Sequence, residues 1–289
     1  MLSLVHLKVL AAVARHGSVT EAAKHLHYSQ PSVSHHLSRL EAATGVKLVQ
    51  RVGRGIRLTP EGRLLAGRAA EIVGRVDAAA TELAAQAGLQ AGRVRVAANA
   101  STLSTIVPEA AAALAVAHPG LELSLVEQHP VEAVRLLRHG EVDVAVVFRH
   151  ADDAAQDDGL RFVHLGEDSV HLLSRSPGDA LANHRDSAWI GGCDACRGEL
   201  EAVCRREGFA PRVVSHSDDI AVVQALVAAG AGVAIQPGLA LRAYHRQGVH
   251  ATEVPGFRRE IHAVTYGEPP DPPAVAAVLT ALTQAAENR

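Results

Sequence analysis

Between Thr59 and about Gln90 the chain carries one unbroken helical pattern. Its apolar positions Leu65, Ala69, Ile72, Val76, Ala79 and Leu83 recur at alternating steps of four and three, the seam of a helix that pairs with another helix. Thr59-Pro60-Glu61 opens it with a hydroxyl N-cap, a proline at the first helical position and an acid in the first turn. At 1.5 Å per residue the segment makes a rod of roughly 45 Å, too long to be buried by the short stretch ahead of it. An amphipathic helix lying on its own body would give the same spacing, but a paired rod is the favoured reading. The 289 residues then divide into a head (1–59), a linker and dimerisation helix (60–91) and a body (92–289), as expected for two or three domains.

The head is basic and the body acidic. Residues 1–65 hold nine Lys/Arg against three acids, which leaves the remainder at −9 within a net charge of −3. Only the head is suited to a polyanion. Leu4 to His16 is helical by its apolar period and stops at Gly17. Ser18-Val19-Thr20-Glu21 reads as a capping box that opens a short helix to Leu26. After the turn His27-Tyr28-Ser29, a second helix starts with Ser29 as cap and Pro31 in its first turn. Val33, Leu37 and Leu40 face inward, leaving Gln30, Ser32, Ser34, His35, Ser38 and Arg39 outside. Amides, hydroxyls and guanidinium at a helix N-terminus match base edges and phosphates. The pattern is a helix-turn-helix, although a plain three-helix bundle would also show a polar face. Val46–Arg51 and Ile56–Leu58 read as two strands about the turn Val52-Gly53-Arg54-Gly55, a wing carrying Arg51, Arg54 and Arg57.

The run Ala22-Ala23-Lys24-His25-Leu26-His27-Tyr28-Ser29-Gln30-Pro31-Ser32-Val33-Ser34 resembles the signature of LysR-type transcriptional regulators. So do Leu40-Glu41, Gly45-Val46-Lys47-Leu48, Arg51, Gly55, Leu58-Thr59 and Gly62. The resemblance implies that Gln30, Pro31, Ser32, Ser34 and His35 approach the major groove, with Arg51 and Arg54 reaching DNA from the wing; Arg39 joins the DNA-binding candidates by its place on the outer face of the helix. It implies double-stranded DNA with an inverted-repeat site as partner, a homodimer that assembles into a tetramer, a small-molecule co-inducer rather than a cofactor or metal, and RNA polymerase as a further partner.

The body alternates strands and helices. Strands are expected at Val94–Ala97, Leu121–Val126, Val142–Phe148, Leu160–Leu165, Ser169–Ser174, Val213–Ser217 and Val233–Ile235. Helices are expected at Leu103–Ala117, Val131–His139, Arg197–Glu207, Ile220–Ala229 and from Asp271 to about Ala286. This is α/β with a mainly parallel sheet; residues 151–159 read as an acidic loop. The body resembles the two-lobed, periplasmic-binding-protein-like (type 2) effector domain of the same regulators. On that likeness the chain crosses between lobes near Leu165-Gly166 and near 263–266, giving lobe 1 residues 93–165 and 265–289 and lobe 2 residues 166–264. Ligands of open α/β sheets bind at the carboxyl ends of strands. The effector candidates are therefore Asn99, Ala100, Ser101 and Thr102, whose hydroxyls and N–H groups suit an anion, and Phe148, Arg149 and His150. Opposite them stand Gly191, Gly192, Ser217, Asp218, Gln236 and Pro237.

Cys193, Cys196 and Cys204 invite a second reading, a thiol switch using Cys196 and Cys204 in the region where peroxide-sensing members of the family carry theirs, or a zinc site. No fourth metal ligand stands at motif spacing, so small residues filling the lobe are favoured. The 17 histidines are dispersed, and no hydrolase, Walker or dinucleotide motif occurs; an enzyme is not expected. With no membrane-length apolar run, no signal pattern and few cysteines, the expected place is the cytoplasm, with no membrane partner.

Overall fold

The structure is a computed structural model that describes residues 2–52, 55–86, 92–150, 159–192, 194–267 and 269–288. The chain divides into two compact units, residues 1–89 with 135–142, and 90–134 with 143–289.

The first unit begins with α1 (Leu4–His16), α2 (Val19–His25) and α3 (Gln30–Thr44). Ser18 Oγ accepts from Glu21 N (3.4 Å) and Ser29 Oγ from Ser32 N (3.3 Å), so both expected caps form. The reciprocal half of the capping box is replaced, since the Glu21 carboxylate takes Lys24 Nζ at 2.8 Å. Leu7, Leu10, Val13, Val33, Leu37 and Leu40 are buried together, and Ala22 and Ala23 allow α2 to pack closely.

The wing pairs β1 (Val49–Val52) with β2 (Gly55–Leu58), from Val49↔Leu58 to Val52↔Gly55. It starts at Val49 rather than Val46 because Glu41 Oε1 claims the N–H groups of Leu48 (2.9 Å) and Val49 (3.2 Å), while Glu41 Oε2 takes Lys47 Nζ (2.8 Å). Thr59 Oγ1 donates to Lys47 O (2.7 Å) and accepts from Gly62 N (2.9 Å). One hydroxyl thus ties the wing to the start of α4 (Pro60–Gln86). Its 27 residues extend about 40 Å. Along the expected seam, Ala69 is buried and Leu65 half-buried, whereas Ile72, Val76, Ala79 and Leu83 are exposed.

The second unit is built on a six-stranded sheet. In chain order come β3 (Arg93–Ala98), α5 (Ala100–Leu103), α6 (Ile106–Ala117), β4 (Glu122–Glu127), α7 (Pro130–Arg138), β5 (Val144–Arg149) and β6 (Leu160–Ser174). Then follow β7 (Ala188–Gly191), α8 (Asp194–Arg206), β8 (Arg212–His216), α9 (Ile220–Ala228), β9 (Ala234–Pro237), α10 (Gly238–Ala243), β10 (His250–Tyr266) and α11 (Pro273–Glu287). The sheet order is β4-β3-β5-β10-β6-β9, and β7 pairs with β8 separately. Only β4-β3 and β3-β5 are parallel ladders within the large sheet; β5-β10, β10-β6 and β6-β9 are antiparallel. The mainly parallel sheet expected from sequence is thus corrected to a mixed one.

The two strands expected at Leu160–Leu165 and Ser169–Ser174 are one, β6. Its partner β10 was not anticipated, and these long strands run through both lobes. Their ladder shifts register where Ile261 pairs with Gly166 but His262 pairs with His164, so Leu165 is bulged. Gly166 there has φ 133°, a conformation open to glycine and strained for other residues. The second expected crossing, near 263–266, falls within β10, which already pairs with β5 from Glu260 onward. In lobe 1 the strands β3 and β5 bury Val94, Val96, Val144 and Val146 against α6 and α11. In lobe 2 Trp189 is wholly buried among Leu172, Leu200 and Val203. Its Nε1 donates to His184 O (3.1 Å), avoiding a penalty of about 1–3 kcal/mol for an unpaired buried donor.

A Cβ on Gly62 would lie 2.0 Å from the Leu48 carbonyl oxygen, backbone against backbone. Gly62→Ala is therefore expected to lower stability by about 1–3 kcal/mol, read as a reduced midpoint in thermal denaturation of the full chain.

Candidate functional site

In the first unit, Gln30, Ser34 and Ser38 of α3, Ser18 and Thr20 at the start of α2, and Lys47, Gln50 and Arg51 of the wing line one open groove. Helix capping at Ser29 and the tie of Thr59 to Lys47 set its two walls. Three of the expected contacts, Gln30, Ser34 and Arg51, thus share a surface. Pro31, His35 and Arg39 are exposed beside it, and Ser32 is half-buried with its N–H engaged in the cap. Burial first, then the charges of His36, Arg39 and His35, hold the His6 imidazole below its usual range. Arg54 lies outside the described residues. Thr20, Lys47 and Gln50 were not singled out from sequence, because their place in the groove depends on how the wing folds back beside α2.

In the second unit a cleft of about 780 Å³, open mouth included, lies between the lobes. Of the expected residues, Asn99, Ala100, Ser101 and Phe148 line one side, and Gly191, Gly192, Ser217, Asp218, Gln236 and Pro237 the other. Thr102, Arg149 and His150 do not line it. Thr102 is fully buried, its hydroxyl directed to Asn99 O (3.0 Å) and Asn99 Oδ1 (2.9 Å). The Arg149 guanidinium lies over the Phe162 ring at 4.8 Å. Gln236 touches the cleft while bonding Gln224 Nε2 (3.0 Å) and Ile220 O (3.2 Å), which fixes α9 to β9.

The floor is a buried ion pair that was not anticipated. Arg259 on β10 and Asp168 on β6 are register partners, with side chains 4% and 3% exposed. Arg259 Nε and Nη2 donate to Asp168 Oδ2 at 3.0 and 2.7 Å, and Nη2 also donates to Ser101 Oγ at 2.7 Å. Asp168 Oδ1 accepts from Leu239 N (2.9 Å). The guanidinium sits 4.4 Å from the Phe148 ring centroid, a cation–π geometry. Ser101 Oγ accepts a second bond, from Asn99 Nδ2 (2.7 Å), so its oxygen is committed inside the protein rather than reserved for an anion.

Two histidine–carboxylate contacts cross the cleft, His129 Nε2 to Asp218 Oδ2 and His150 Nε2 to Glu199 Oε1, each 3.6 Å. Burial pushes the Glu199 carboxyl up, opposed by Arg259 and His150 and reinforced by Asp168. Glu199 was missed from sequence although a signal existed: on α8 it stands in the same stripe as Cys196, Leu200 and Val203, a charge on an otherwise inward face. Cys196 borders the cleft, whereas Cys204 is buried in the lobe core and its thiol is pushed up to about 12 by burial. Cys193 lies outside the described residues. Among the described residues, no group of three or more His, Cys, Asp or Glu could hold a metal ion, and no helix is long and apolar enough to cross a membrane.

Comparison with known proteins agrees with both units. The family model for the bacterial regulatory helix-turn-helix protein, lysR family, matches residues 4–63, and that for the LysR substrate binding domain matches residues 87–287. The HTH-type transcriptional regulator TfdS of Cupriavidus pinatubonensis is 28% identical over 244 residues, covering 80% of this chain and 81% of that protein. A full-length OxyR variant from Pseudomonas aeruginosa matches with a TM-score of 0.70 at 21% identity, over 98% of this chain and 95% of that one. Full-length CbnR complexed with its target DNA matches with a TM-score of 0.64 at 23% identity, over 98% and 100%. These two structures support the fold, and the family models span the head and the body. The chain belongs to the LysR family of DNA-binding transcriptional regulators, with an N-terminal winged helix-turn-helix and a C-terminal effector-binding domain.

Proposed function

We propose that a small-molecule effector enters the cleft between the lobes, and that its occupancy changes how paired heads engage an inverted-repeat operator, as activator or repressor. The observation that carries this reading is the cleft itself, whose polar groups converge from both lobes over a floor set by Arg259 and Asp168. Asn99, Ser217 and Asp218 are the contacts retained from the sequence, with Glu199 added; Ser101 and Arg259 shape the floor beneath them. A ligand touching both lobes favours the closed arrangement only by its differential affinity for that state. Gln30, Ser34 and Arg51 are proposed to meet DNA from their shared groove. The exposed Ile72, Val76 and Leu83 of α4 support pairing of two chains along the seam, since large apolar side chains in one stripe seek cover. A cytoplasmic location and contact with RNA polymerase complete the proposal.

Geometry favours an effector over a thiol switch. Cys196 and Cys204 stand on the single helix α8, eight residues and so about 12 Å apart along its axis. A disulfide needs Cα atoms within about 7 Å, so α8 would have to unwind.

Three outcomes test these assignments. Gln30→Ala or Ser34→Ala is expected to weaken specific operator binding by about 1–3 kcal/mol if the side chain reads a base, measured as the ratio of operator to random-sequence affinity. Arg51→Ala is expected to weaken binding to all sequences and to flatten the dependence of log K on log salt, measured by titration at several salt concentrations. Native protein treated with a thiol reagent at pH 8 is expected to leave Cys204 unmodified by mass mapping, because a buried thiol with so high a pKa presents almost no thiolate.

A further inference from the structure

The charges lining the cleft are unbalanced. Among its described lining residues Arg259 is the sole Lys or Arg, and Glu127, Glu199 and Asp218 are all carboxylates. Arg259 is already neutralised by Asp168 at 2.7 Å. His129 of the lining faces Asp218, and His150, which lies outside the lining, faces Glu199. With all three carboxylates ionised the balance is negative even if both histidines are protonated, so an anionic ligand would then enter against the field.

Glu199 singles out where a cation would go. Its side chain is only 8% exposed, it lines the cleft, and its buried Oε1 has no hydrogen-bond partner. His150 Nε2, at 3.6 Å, is beyond good hydrogen-bond distance. A buried carboxylate short of donors is costly; Oε1 itself is closed off from the cleft, and a ligand N–H at the exposed edge of the carboxylate would supply a bond to the group. Ile190, Leu200, Ile220, Val223 and Ile235 give the same cleft an apolar share of its lining.

We propose that this cleft takes a small primary amine on an apolar body, its ammonium group bonded to Glu199 and its apolar part against Leu200, Ile220 and Val223. The assignment rests on the cleft being the effector site. An ammonium supplies both the missing donor and the missing positive charge, which neither a carboxylate nor a neutral alcohol does. It would also favour the ionised form of a carboxyl that burial otherwise pushes toward protonation.

The test uses the full-length protein and three probes of matched size, benzylamine, benzyl alcohol and benzoate, by scanning and titration calorimetry. Benzylamine is expected to raise the unfolding midpoint with concentration and to bind at least tenfold more tightly than benzoate. Glu199→Gln, which keeps shape and removes charge, is expected to weaken benzylamine about tenfold or more while leaving benzyl alcohol within about twofold. Ser217→Trp, at the mouth of the cleft, is expected to abolish all binding. If benzoate or benzyl alcohol binds better than benzylamine and Ser217→Trp blocks it, the amine assignment falls and the cleft stands. If no probe binds, or if binding is indifferent to Ser217→Trp, the amine assignment falls together with the cleft reading. Should Glu199→Gln fail to fold, the wild-type ranking of the three probes decides alone, because a preference for benzoate overturns the proposal.

Discussion

The sensor half of this protein is organised by one buried interaction, the Arg259–Asp168 pair. It joins the two long strands β6 and β10 that run through both lobes, accepts the Leu239 N–H from α10, and reaches Ser101 at the start of α5. Burying two charges costs several kcal/mol each unless their remaining hydrogen-bonding capacity is met. Here Asp168 receives three bonds and Arg259 gives three, with Phe148 covering the guanidinium face. The pair fixes where the cleft floor lies and takes the guanidinium there out of play. The character of the cleft is therefore left to Glu199, Asp218 and Glu127.

The head depends on comparable economy of parts. Glu41 is held below the usual carboxylate range: burial opposes this, but Lys47 and the Leu48 and Val49 N–H groups outweigh it. Thr59 bonds Lys47 and Gly62, and Gly62 leaves room for the Leu48 carbonyl. The positions in this stretch that resemble the family signature most are thus largely scaffold. They hold the wing beside α3, so that Arg51 comes to the same groove as Gln30 and Ser34.

Much of this was legible in the chain because local chemistry and tertiary structure agree. Ser18, Ser29, Pro31, Gly17 and Gly45 mark helix boundaries by rules that need no partner. The linker helix announces itself by its period, and the strand-end residues Asn99, Ser101, Gly191 and Ser217 follow from the rule that ligands gather at strand ends. The rest was hidden for definite reasons. β10 contains Pro255-Gly256, which reads as a turn but falls in the register shift between Glu253 and Arg258. β6 contains Gly166-Glu167-Asp168, which reads as a break but is a bulge followed by a buried acid. Missing β10 turned a mixed sheet into a parallel one and concealed Arg259. Thr102 was drawn to the cleft by proximity in sequence, yet a four-residue helix turns its hydroxyl back onto Asn99.

The central claim is that Arg259 and Asp168 act as one unit, and a double-mutant cycle on the full chain measures it directly. Arg259→Met, Asp168→Leu and the double variant would be compared by chemical denaturation. The account predicts a loss of about 3–5 kcal/mol for each single variant, because each leaves a buried charge alone, and a double variant much less destabilised than their sum. Small single losses that simply add would contradict it.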